Sequence, residues 1–135
     1  MTKEHEIIIK LISKFLTEHP EQRFGEALLN LRINEFREEN FIQNSKYNIR
    51  NSFSDKDSEI IDRMEKQLEW FLLQKKVNLG ISAVDGLQRM TIKERLLVTD
   101  LFDSFEKYKL SNKDYARFIL KSLEVDYETI KEILQ

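Results

Sequence analysis

The chain has 135 residues, enough for one domain with a buried core, and its hydrophobic fraction of 41% excludes an intrinsically disordered protein. Its 22 basic and 24 acidic residues give a net charge of −2, so there is no basic surplus to favour nucleic acid. The absence of cysteine excludes disulfides, thiolate catalysis and zinc–thiolate sites. No apolar run approaches the ~20 residues that cross a bilayer, and the N-terminus lacks a signal-peptide core, so we expect a cytoplasmic protein without membrane contact.

Apolar residues at helical spacing predict a first helix over residues 4–18. It ends at His19-Pro20, because the residue before a proline avoids the α region. A second helix is expected over residues 21–33, so that the two form a helical hairpin. Gly25 lies inside the second helix, where glycine costs about 1 kcal/mol relative to alanine, and we therefore expect it to permit close packing of the two helices.

Residues 34–54 are the least regular stretch of the chain, rich in Asn and Ser. We interpret them as a long ordered loop pinned by its aromatic residues Phe36, Phe41, Tyr47 and Phe53. A hairpin that turns at Asn44-Ser45 is the alternative. Loops longer than about 15 residues in a compact domain often carry function. With aromatic anchors inside a rim of mixed charge, the predicted partner-binding residues are Arg37, Phe41, Tyr47 and Arg50.

The longest predicted helix covers residues 57–78, and Gly80 is expected to end it as a left-handed cap. Three helix-start signals follow, at Thr91, Ser111-Asn112 and Asp126, where a side-chain oxygen can accept from a free N–H of the first turn. They predict helices over 91–108, 112–123 and 127–134. The expected fold is all-α with about six helices: an N-terminal hairpin, a long ordered loop, a long central helix and a C-terminal three-helix unit. We expect a single compact domain, 1–135, whose one credible subdivision is 1–80 and 87–135.

No polar cluster in the sequence has the pattern of a catalytic or metal site. His5 and His19 lie at opposite ends of the first helix, roughly 21 Å apart, and cannot share a metal ion. The run that begins at Asp55 resembles the start of a calcium loop but lacks the glycine at the sixth position. Glu65 and Glu69 form the strongest carboxylate pair, yet neighbouring lysines indicate a solvated face. We therefore expect neither enzymatic activity nor a cofactor nor a bound metal.

Two further features have competing interpretations. The stretch from Leu110 to Leu134 is similar in outline to a helix-turn-helix DNA reader, which makes a small nucleic-acid-binding regulator using the last two helices the alternative function. Its last helix bears Glu128 and Glu132 against Lys131, however, and would repel phosphates. Trp70 could anchor an interface, but on the longest helix we interpret it as a core residue.

Two segments resemble known sequences. Residues 19–31 and the following 33–36 are similar to short uncharacterised bacterial helical proteins that carry the phrase "Arg-Phe-Gly-Gln-x-Leu", which reads Arg23-Phe24-Gly25-Glu26-Ala27-Leu28 here. Residues 85–96, from Asp85-Gly86-Leu87 to Glu94-Arg95-Leu96, resemble a unit that reads "Asp-Gly-Met-x-x-Asn-Glu-Arg-Leu", with Lys93 here in place of Asn. Some carriers of this unit resemble immunity proteins of polymorphic toxin systems. The resemblance implies a non-enzymatic bacterial protein. The function we predict is that of a protein-binding module, such as an immunity or antitoxin-like protein, that blocks its partner sterically.

Overall fold

The computed structural model describes residues 1–37, 48–50 and 52–135, and of residues 36, 37 and 48–50 it describes the backbone alone. Over these residues the fold is all-α, as the sequence predicted, with seven α-helices where about six were expected. The helices are α1 Lys3–Glu18, α2 Phe24–Asn30, α3 Asp57–Ser82, α4 Ile92–Val98, α5 Phe102–Ser111, α6 Lys113–Ser122 and α7 Tyr127–Ile133. A 3₁₀-helix, Leu87–Arg89, precedes α4, and two short strands, β1 Glu35–Arg37 and β2 Asn48–Arg50, lie between α2 and α3.

By its internal contacts the chain divides into two compact units, Met1–Glu69 and Trp70–Gln135. The boundary falls inside α3, not in the connector at residues 80–86 that the sequence suggested. Among the described side chains of the first unit, the buried apolar ones are those of Phe15, Ala27, Leu31, Ile33, Ile60 and Met64. The second unit has a continuous core, whose fully buried members include Leu101, Ala116, Ile119, Leu120 and Leu123. Whether the whole chain is a single domain stays a prediction.

The three helix starts predicted near the C-terminus are confirmed. Thr91 accepts from the Glu94 N–H (3.2 Å), Asn112 from the Tyr115 N–H (3.3 Å) and Asp126 from the Thr129 N–H (3.1 Å). Each of these side chains satisfies a donor that the first turn of its helix leaves without a partner. At Asp126 the Thr129 hydroxyl and N–H both bind the carboxylate, and they hold the pKa of this carboxyl below its ordinary value.

Three helices end without glycine, each through a residue in the left-handed conformation. These residues are Arg32 after α2, Asp100 after α4 and Glu124 after α6, with φ of 60°, 59° and 64°. In each case the next residue, Ile33, Leu101 or Val125, is buried and donates its N–H back to a carbonyl of the last helical turn. This is the Schellman arrangement, which also secures the apolar residue that follows the helix.

The Schellman end at Asp100 makes the predicted helix over residues 91–108 wrong, because it divides that stretch into α4 and α5. The second predicted helix, 21–33, is likewise shorter in the structure. Its first turn begins after Arg23, whose N–H donates to the Glu26 carboxylate at 3.0 Å, and it ends before Arg32. Helix ends without glycine or proline lack the sequence signal on which the prediction relied.

The predicted roles of Gly25 and Gly80 are both wrong. A Cβ at Gly25 would meet nothing within 4 Å, so this glycine does not serve close packing. Gly80 does not end α3, which continues to Ser82. It lies where α3 touches the end of α4, and a Cβ there would come within 2.5 Å of the Thr99 carbonyl oxygen. Glycine at residue 80 therefore lets two backbones approach each other, which no other residue permits.

The two glycines give a matched test of this packing. We expect Gly80→Ala to lower the free energy of unfolding by about 1–3 kcal/mol, because the new methyl group overlaps a backbone atom that cannot move aside. Gly25→Ala should instead leave it unchanged or raise it by up to about 1 kcal/mol, through the better helix propensity of alanine. Urea unfolding of both variants measures the difference. Equal effects of the two changes would contradict the close approach of α3 and α4.

A second test concerns the left-handed residue between α4 and α5. Because a residue with a Cβ is strained at φ 59°, we expect Asp100→Gly to stabilise the protein by about 1 kcal/mol. The control is Asp103→Gly, an exposed position in the first turn of α5, which should destabilise it by about 1 kcal/mol. Chemical denaturation at constant pH compares the two. If Asp100→Gly is the more harmful change, Asp100 is not strained.

Candidate functional site

The site is built on Arg63, a residue of α3 whose side chain is 17% exposed. Its Nη2 lies 2.9 Å from Oδ2 of Asp55, a carboxylate that is itself only 5% exposed. Asp55 directly follows the 34–54 segment, two residues before α3 begins. A guanidinium and a carboxylate that are both largely removed from water form a strong, charge-assisted contact. Arg63 therefore fixes the C-terminal end of the segment to α3.

The same guanidinium also holds the N-terminal end of the segment. Its Nε donates to the Arg32 carbonyl at 2.9 Å, and its Nη2 donates to the Ile33 carbonyl at 3.1 Å. These are the carbonyls of the Schellman end of α2. Glu35 adds a carboxylate that lies 3.6 Å from Arg63 Nε and accepts from Arg32 Nη2 at 2.9 Å. We call Arg63 with Arg32, Glu35 and Asp55 the Arg63 clamp.

The clamp uses a property that lysine lacks. A guanidinium presents five N–H donors in a rigid plane, so one side chain can bind a carboxylate and two carbonyls at once. Here those partners come from both sides of residues 34–54. The chain that leaves α2 and the chain that enters α3 are thus held together by one residue between them.

Just beyond the clamp the two sides of the segment pair as an antiparallel two-stranded sheet. Glu35 lies across from Arg50, Phe36 across from Ile49 and Arg37 across from Asn48. The interpretation of 34–54 as a loop is therefore wrong at its ends, which follow the hairpin alternative. The turn that this alternative placed at Asn44-Ser45 lies outside the described residues.

Two of the four predicted partner-binding residues, Arg37 and Arg50, fall in this small sheet, one on each strand. The structure describes their backbone positions but not their side chains. Phe41 and Tyr47 lie outside the described residues. The role of all four in binding stays a prediction, whereas the structure does show where the backbone that carries Arg37 and Arg50 is anchored.

Sequence reasoning missed Arg63 because an arginine on a long helix reads as a solvated residue. The available signal was its place on the helix, one residue before the buried Met64 and three after the buried Ile60. At that spacing it borders the apolar face, so its stem is covered while its head reaches the edge. Which carbonyls and carboxylates it would meet there could not be read from the sequence.

Each of the two histidines lies beside a carboxylate. His5 Nε2 lies 3.0 Å from the Asp57 carboxylate, and His19 Nδ1 lies 3.4 Å from the Glu21 carboxylate. The His19 ring also contacts the Phe15 ring, with centroids 4.5 Å apart. Over the described residues, no group of three or more His, Asp or Glu is placed to hold a metal ion.

In the second unit, Trp70 packs against the core, which agrees with its interpretation as a core residue and not as an interface anchor. Its ring stacks on Tyr115 at a centroid distance of 5.1 Å and meets the edge of Phe118 at 4.7 Å. The turn between α6 and α7 is held from within the unit by Arg95, which donates to the carbonyls of Leu123 (3.0 Å) and Glu124 (3.3 Å). On α7 the exposed charges are those of Glu128, Lys131 and Glu132, two negative and one positive.

Comparison with known proteins gives no match to any family model, curated protein or solved structure. Among the described residues, no helix has the length and apolar character required to cross a membrane.

The Arg63 clamp can be tested by removing the guanidinium while keeping the apolar stem. We expect Arg63→Met to lower the free energy of unfolding by about 2 kcal/mol, because carbonyls and a buried carboxylate lose a charged donor. The control Arg117→Met breaks an exposed pair with Asp114 and should cost less than about 1 kcal/mol. Hydrogen exchange should also become faster at the amides of β1 and β2 in Arg63→Met. Unchanged exchange there would show that Arg63 does not anchor the strands.

Proposed function

We propose that the protein is a non-enzymatic, cytoplasmic protein-binding module that blocks a partner protein by steric complementarity, in the manner of an immunity protein and its toxin. The binding surface is the 34–54 segment, with Arg37, Phe41, Tyr47 and Arg50 as its anchors. The observation that carries this proposal is the Arg63 clamp, which ties both ends of the segment to α3. The lack of cysteine supports a reducing compartment.

Anchoring the ends of the segment favours binding because it lowers the free-energy cost of ordering the segment at an interface. Each rotamer-rich side chain fixed at an interface costs about 0.5–1.5 kcal/mol, and an unanchored backbone adds to that cost. A segment whose ends are already fixed has fewer backbone states to lose on binding. The clamp and the paired strands Glu35–Arg37 and Asn48–Arg50 supply this constraint.

The composition of the segment supports a protein partner over a small ligand. Tyrosine and arginine are enriched among the few residues that dominate protein interfaces, and phenylalanine is enriched at such interfaces too. The segment carries these residue types together with Asn and Ser, which can form adaptable hydrogen bonds. A charged rim around aromatic anchors matches the general anatomy of such an interface.

The proposal predicts that Phe41→Ala and Tyr47→Ala each weaken partner binding at least tenfold, about 1.4 kcal/mol, with little change in the melting temperature. The partner is captured from the native host with the tagged wild-type chain, and the dissociation constant of each variant is then measured with the purified partner. Tyr127→Ala is the matched control, because Tyr127 is an aromatic residue 71% exposed on α7, in the second unit.

The outcomes separate binding from folding. If Phe41→Ala and Tyr47→Ala lower the melting temperature along with the affinity, the two aromatic residues belong to the core and the surface is misassigned. If Tyr127→Ala weakens binding as much as they do, the partner contacts the second unit instead. If no partner is retained by the wild-type chain, the proposed function fails.

A further inference from the structure

We draw no further inference here: the strongest candidate, the open apolar groove along α1 whose lining includes Ile9, Leu16 and Phe24, has residues of both charges beside it in the sequence, and nothing in the part of the chain that the structure describes shows what covers it.

Discussion

The guanidinium of Arg63 is the interaction on which the arrangement of the first unit depends. It joins α3 to the residues that end α2 and to the residue that follows the 34–54 segment, through two carbonyls and one carboxylate. Each of those groups would lose solvation when covered, and each is compensated by a charged donor. Because one side chain meets all of them, the two ends of the segment cannot move independently. The short sheet Glu35–Arg37 with Asn48–Arg50 begins directly beyond this point.

The helices illustrate which local signals a sequence carries. Starts are marked by side chains that bind a backbone N–H, so Thr91, Asn112 and Asp126 could be found from residue type and spacing. Ends are marked in a sequence only by glycine or proline, and even glycine misleads when, as at Gly80, it serves a close approach inside the helix. Asp100 takes the left-handed conformation because burial of the following Leu101 compensates for the strain. Since neither glycine nor proline marks this position, α4 and α5 were expected to be one helix. Tertiary packing fixed an end that propensity could not show.

The glycines also show that residue type alone does not reveal the structural role of a position. A glycine in a sequence indicates either a left-handed residue or a close approach, and only coordinates decide between them. Gly80 serves close approach to Thr99 and Gly86 takes a positive φ, whereas Gly25 has open space at its Cβ. At the candidate site the residue types were available in advance, as with the arginines and aromatics of 34–54. The clamp could not be predicted from the sequence, because two of the groups that Arg63 binds are backbone carbonyls, which every residue has.

The two units differ in how their apolar residues are used. In the second, a chain of aromatic contacts joins Trp70, Tyr108, Tyr115 and Phe118 at the core. Arg95 holds the turn between α6 and α7. In the first, fewer of the described residues are fully buried, and Ile9 and Phe24 are exposed apolar side chains. Our proposal for binding therefore rests on the 34–54 segment, whose two ends Arg63 holds to α3.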